Sequence, residues 1–120
     1  MAIKDVAQGL VDLCRRGQYE EASTRYYADD IVSVEAGGGG PPETKGLAAM
    51  LEKTKWFMEN HEVHGGQVDG PYINGDQFVV HFKVDITPKA TGQRTTLEEM
   101  GVYTVKNDKV VHERFFPLTV

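Results

Sequence analysis

The stretch Phe78-Val79-Val80-His81-Phe82-Lys83-Val84-Asp85-Ile86-Thr87 alternates between two kinds of residue without a break. Side chains along a strand point to opposite sides in turn, so Phe78, Val80, Phe82, Val84 and Ile86 share one face. Val79, His81, Lys83, Asp85 and Thr87 share the other. The first set is wholly apolar and predicts the buried side of a sheet. His81 is expected on the outer side.

The flanking residues extend the sheet in both directions. Asn74-Gly75-Asp76 is a hairpin signal, so the run at 62–72 predicts an antiparallel partner. Residues 88–93 read as a loop, and 94–105 as a second long strand. Asn107-Asp108 is a turn, and 110–118 closes the sheet.

Upstream the periodicity changes. Ile3, Val6, Ala7, Leu10, Leu13 and Cys14 recur at three- and four-residue steps, which predicts an amphipathic helix over 2–16. Gly17 after Arg15 and Arg16 is a helix stop. A second helix is predicted over 18–27, with Tyr19, Ala22 and Tyr26 on one side. Ala28-Asp29-Asp30 breaks it, and a short strand, Ile31 to Glu35, follows. Gly37 to Gly40 with Pro41 and Pro42 reads as a surface loop. The prolines remove backbone donors and no Gly-Lys-Ser/Thr ending follows, so it is not a phosphate cradle.

A third helix is predicted over 46–60, with Leu47, Met50, Leu51, Thr54, Phe57 and Met58 on one face. Trp56 falls opposite Leu47. Its large apolar area predicts cover at a pocket mouth, a partner subunit or a loop. Helices first and hairpin-joined strands after argue for α+β, in one domain over 1–120.

The composition excludes several classes. Net charge is −5 with no Lys/Arg-rich stretch, so no nucleic-acid or anionic-membrane partner is expected. No run of about 18 apolar residues exists to span a membrane. The N-terminus, Met-Ala-Ile-Lys-Asp, lacks a signal-peptide pattern. The single cysteine, Cys14, forms no internal disulfide and reads as a small apolar residue on the first helix. A cytoplasmic location is expected. His61 and His64 have a metal-like spacing, but they sit at a helix-to-strand junction before Gly65-Gly66 with no third ligand. No metal and no other cofactor is expected.

Three patterns in order resemble the nuclear transport factor 2-like superfamily, and within it a SnoaL-like domain. They are Tyr27-Ala28-Asp29-Asp30-Ile31-Val32, Lys45-Gly46-Leu47, and Gly101-Val102-Tyr103-Thr104-Val105 with Lys109-Val110-Val111-His112-Glu113. The resemblance implies a cystatin-like cone: about three helices packed on a curved antiparallel sheet, often paired as a homodimer. It leaves the activity open, because the superfamily spans isomerases, cyclases, dehydratases, hydrolases and binding proteins.

The resemblance also nominates residues. Counting from Ala28-Asp29-Asp30, Glu35 falls where ketosteroid isomerases keep their carboxylate base. The enolate-holding donors of that enzyme map to about Val11 and to Gly101 or Met100, none of which has a side-chain donor suited to it. With Gly101 inward, parity puts Glu99 and Tyr103 inward too, and a similar count puts Val111, Glu113 and Phe115 inward. Glu35, Glu99 and Glu113 would then form an acidic, catalytic cluster. The alternative is cross-strand pairing of these glutamates with Arg94, Arg114 or lysines. Glu98 takes the role of Glu99 if the register slips by one. Tyr26, Trp56, Phe57, His61, Tyr72, Phe82, Tyr103 and Phe115 are the expected pocket lining.

Lys83, Asp85, Val102, Thr104, His112, Arg114 and Phe116 are expected on the outer face with His81. That mixed surface suits a homodimer interface. Three functions stay open at this point: a cofactor-free acid–base enzyme acting on a small apolar molecule, a non-catalytic binder of such a ligand, and a dimerising module.

Overall fold

The computed structural model describes residues 2–35 and 43–117. The Gly37–Gly40 loop and Leu118 fall outside these residues. Three helices, α1 (Ile3–Arg15), α2 (Tyr19–Tyr26) and α3 (Leu47–Asn60), pack on one sheet. Its strands are β1 (Tyr27–Glu35), β2 (Glu43–Lys45), β3 (His61–Asn74), β4 (Gln77–Pro88), β5 (Thr95–Lys106) and β6 (Lys109–Pro117), in the spatial order β2-β1-β6-β5-β4-β3. The α+β architecture is the expected one. The sheet is mixed, because β1 runs parallel to β6 while every other neighbouring pair is antiparallel.

The amphipathic stripe of α1 is buried at Val6, Ala7, Leu10, Val11, Leu13 and Cys14. Gly17 ends the helix at φ +73°, while its amide bonds Cys14 O and the Gln18 amide bonds Leu13 O. These two bonds satisfy carbonyls that would otherwise be orphaned, and only glycine takes that φ without cost. Gly9 lets α2 lie against α1. A Cβ there would come within 1.9 Å of Tyr26 Oη.

The alternation read along β4 holds: Phe78, Val80, Phe82, Val84 and Ile86 are all buried. Two local expectations are corrected. The β5–β6 register shifts after Thr104↔His112, so that Val105 faces Val110. This bulge turns Val110, not Val111, into the core, because one extra residue reverses the parity beyond it. Ala28-Asp29-Asp30 is not a break before β1 but a bulge inside it. From Tyr27 to Val32 β1 advances five positions while β6 advances two, from Val110 to His112.

Strand β2 was not expected, since three residues are too few for a periodic pattern. It pairs with β1 at Val32↔Lys45, and the Gly46 amide bonds Ile31 O at 2.7 Å as the chain enters α3. On α3, Met50 is buried and Leu47 and Phe57 pack on the core, whereas Met58, expected on that face, is exposed. Trp56, expected under cover, is 60% exposed and meets the His61 ring edge-on at 6.0 Å.

Candidate functional site

The inner sheet face is organised in cross-strand rows. One row runs Phe78, Tyr103, Glu113, Ser33; the next runs Val80, Gly101, Phe115, Glu35; a third runs Phe82, Glu99, Pro117. Pairing of β1 alongside β6 is what delivers Ser33 and Glu35 to this face. Tyr103 stacks on Phe78, and Phe115 meets Tyr103 edge-on at 6.1 Å and Phe82 at 6.3 Å. Gly101 makes room for this arrangement, since a Cβ would fall 2.9 Å from Tyr103 Cε2 and 3.0 Å from Phe115 Cε1.

Glu113 lies at the closed end of the face and is 1% exposed. Tyr27 donates a short hydrogen bond to its Oε1, and Ser33 Oγ donates to its Oε2 at 3.3 Å. Tyr103 stands in the same row, close enough for its charge and that of Tyr27 to affect each other. The buried hydrogen-bonded set is therefore Tyr27, Glu113 and Ser33. Burial pushes the Glu113 carboxyl up to about 7, although Tyr27, the charge of Lys53 and Ser33 pull it down. Burial, then the charge of Glu113, raises both tyrosines well above their usual range.

Glu99 and Glu35 stand toward the other end. Burial first, and the negative charge of Glu35 second, push Glu99 up to about 7 against the opposing charge of Lys53. Glu35 Oε2 pairs with Lys53 Nζ at 2.9 Å, and both side chains are part-exposed, at 42% and 33%. Two carboxyls near neutrality beside a carboxylate–ammonium pair can both give and take a proton near pH 7. Carboxyl oxygens and phenols would suit a hard cation, but among the described residues no group of acidic, His and Cys side chains is arranged to hold a metal ion.

The expected acidic trio thus converges, together with Phe82, Tyr103 and Phe115. Glu98 faces outward, 2.7 Å from His81 Nε2, so the register that favoured Glu99 is correct. Glu35 pairs with Lys53 of helix α3 rather than with a cation on a neighbouring strand, and Arg94 pairs with Asp85 at 2.6 Å. Val11 is buried in the core and offers no donor, as expected.

Of the remaining expected lining residues, Phe57 shares the inward stripe of α3 and packs on the core, while the others lie off the acidic rows. Tyr26 packs over Gly9. Phe57 stacks on His61 at 4.2 Å, and His61 Nδ1 lies 2.9 Å from Phe57 O, closing the end of α3. Tyr72 is 60% exposed and pairs with Val79 on the outer side. His64 is 2.7 Å from Thr87 Oγ1 rather than beside His61. Cys14 is buried and its thiol is pushed up to about 12, first by burial and then by the charge of Glu113, so it is no nucleophile. A groove of about 660 Å³ runs between α2 and α3 past Tyr19, Thr54 and Met58, and one of about 190 Å³ lies by Cys14 and Val68.

Lys53, Ser33 and Tyr27 were missed as site residues. Lys53 stands three residues after Met50 and four before Phe57, on the inward stripe of α3, and that spacing was a usable signal.

The comparisons agree with this fold. The family described as SnoaL-like domain matches residues 1–117. A solved structure from Mesorhizobium loti, described as a proposed SnoaL-like polyketide cyclase with carbohydrate phosphatase as a second description, is 50% identical. It superposes with a TM-score of 0.93 over 97% of this chain and 99% of that one. A cystatin-like protein of unknown function from Xanthomonas campestris (14% identity, TM-score 0.81, 99% of this chain and 92% of that) shares the fold. So does a proposed isomerase from Bacillus subtilis (16% identity, TM-score 0.76, 98% and 90%). The search of curated proteins gives no match.

Proposed function

The chain belongs to the SnoaL-like domain family, and from that premise we propose that it catalyses cofactor-free proton transfer on a small, largely apolar carbonyl compound at the open end of its inner face. The observation that carries this reading is Glu99: a part-buried carboxyl held at about 7, on the same face as the Glu35 carboxylate. A proton donor and acceptor works best when its pKa lies near the operating pH. Glu35 takes the carbon-bound proton beside the carbonyl, and the C–H electron pair moves onto the carbonyl oxygen. Glu99 then supplies the proton that completes the turnover. Glu113, sealed behind Tyr103 and bonded by Tyr27 and Ser33, sets the electrostatics of the face rather than touching substrate. Ring closure of a polyketide, the chemistry in the description of the Mesorhizobium loti relative, begins with the same proton removal.

The test is deuterium uptake at the carbon beside the carbonyl, followed by NMR in D2O with cyclohexanone and 2-cyclohexenone. Exchange above the buffer rate is expected. Glu35→Gln should abolish it, and Glu99→Gln should slow it about 10²- to 10⁴-fold. Binding of these ketones without exchange would favour a non-catalytic ligand-binding domain instead.

Two expectations complete the reading. The outer sheet face pairs two copies of the chain. It mixes apolar residues (Val79, Met100, Val102, Phe116) with the acidic Asp69 and Glu98 around His81, and with Arg114, whose guanidinium lies 5.7 Å from the Phe116 ring. A free, buried Cys14 is compatible with the reducing cytoplasm as its compartment.

A further inference from the structure

We infer that Lys53 is the oxygen-receiving residue of the inner face, exchanging Glu35 for an anionic oxygen of the ligand, so that the site selects small apolar molecules bearing one carboxylate or one enolisable carbonyl. This rests on the inner face being the ligand site, as proposed above. The geometry argues for it in three steps. Lys53 leaves the inward stripe of α3 and places Nζ 2.9 Å from Glu35 Oε2 at the end of β1. Both partners are part-exposed, and an ion pair in contact with water is held weakly, so a competing oxygen can displace Glu35. The ammonium is a compact charge on a flexible stem with three donors, able to follow an oxygen as charge builds on it.

The surroundings leave Lys53 to do this. The hydroxyls of Tyr27 and Ser33 are already committed to Glu113, and Tyr103 is buried against Phe78 and Phe115. Val11 and Gly101 have no donor. Lys53 is also the cation whose field favours the charged form of both Glu99 and Glu113, against the effect of burial. The exchange couples two events. As Lys53 turns to the ligand oxygen, Glu35 loses its counter-ion and becomes free to accept the proton from carbon. The electron pair released from the C–H bond ends on the oxygen that Lys53 holds, so charge and protons balance without a further reactant.

The experiment compares two probes of like shape, cyclohexanecarboxylate and cyclohexanecarboxamide, titrated at pH 5.5 into the full chain and read by amide NMR shifts at Glu99, Gly101 and Phe115. The carboxylate should bind at least tenfold tighter. Lys53→Met should bring the ratio to about one with the amide unchanged, and Lys53→Arg should retain a preference. Equal binding by the wild-type protein, a preference that survives Lys53→Met, or no shifts at these residues would overturn the inference. A preference lost in Lys53→Met, combined with no ketone exchange, would leave Lys53 as an anion receptor and sink the catalytic reading alone. Ketone exchange without the preference would do the reverse.

Discussion

Tyr27, at the head of β1, donates its hydroxyl proton to Glu113 on β6, joining residues 86 apart in the chain. The bond closes the inner end of the sheet, where the parallel pair meets the antiparallel hairpins. Tyr27→Phe removes a donor from a buried carboxyl and leaves nothing in its place. We expect a loss of about 1–3 kcal/mol of stability. The loss should be larger at pH 8 than at pH 5.5, because the ionised carboxylate needs the donor more. Urea denaturation at both values checks this, and an equal loss at the two would detach the hydroxyl from the ionisation of Glu113.

Glu113→Gln tests the cost of that ionisation. The folded pKa, about 7, is above the ordinary 4.5, so the folded chain binds the proton more tightly than the unfolded chain. Stability therefore falls as pH rises between these values, and the loss is complete above 7. Its ceiling is on the order of 3 kcal/mol. Gln keeps an acceptor for Tyr27 and offers an amide to Ser33. Thermal melts from pH 4.5 to 9 should show the variant gaining on the wild type up to about pH 7.5 and holding its gain beyond.

Glu99 should titrate close to neutrality. Side-chain carboxyl 13C shifts are expected to turn over at about 7, and the same groups in Lys53→Met should turn over higher, since the lysine charge opposes the rise at both Glu99 and Glu113. A midpoint near 4.5 for Glu99 in the wild type would remove the proton donor from the proposed reaction.

Gly9→Ala offers a test of sign. On an exposed helix this change stabilises by up to about 1 kcal/mol. Here the new methyl meets Tyr26 Oη and Cζ, so the Tyr26 ring must leave its place between the helices. A net destabilisation of about 1–3 kcal/mol is expected, most of it recovered in Gly9→Ala with Tyr26→Leu. The four melting curves of the double-mutant cycle decide it.

Light scattering addresses the outer face. A dimer is expected at micromolar concentration, and Phe116→Glu should give a folded monomer with an unchanged far-UV spectrum. A wild-type protein that stays monomeric up to millimolar concentration would sink the interface.

The legible parts of this protein were those set by short-range periodicity. The alternation over Phe78 to Ile86 and the helical stripe from Val6 to Cys14 each repeat often enough to be read. Their burial follows directly from strand and helix geometry. Parity also brought Glu99 and Glu113 to one face. It failed at Val111, because a bulge is a single inserted residue that leaves no periodic mark, and at β2, which is only three residues long. Trp56 lies under no loop of its own chain, because apolar area predicts cover only when another element lies over it.

The sequence by itself determined the order of the longer elements and their buried faces, because these follow from local geometry, while the family resemblance joined to strand parity put the three glutamates on a common surface. Only the tertiary structure decided what those glutamates are. Glu113 became a sealed, hydrogen-bonded acid, Glu99 a half-buried one near neutrality, and Glu35 the partner of Lys53. Ionisation depends on desolvation and on charges a few ångströms away, and here the neighbours come from β1, α3, β5 and β6. No reading along the chain brings those four segments together; the packing of the sheet and helices does.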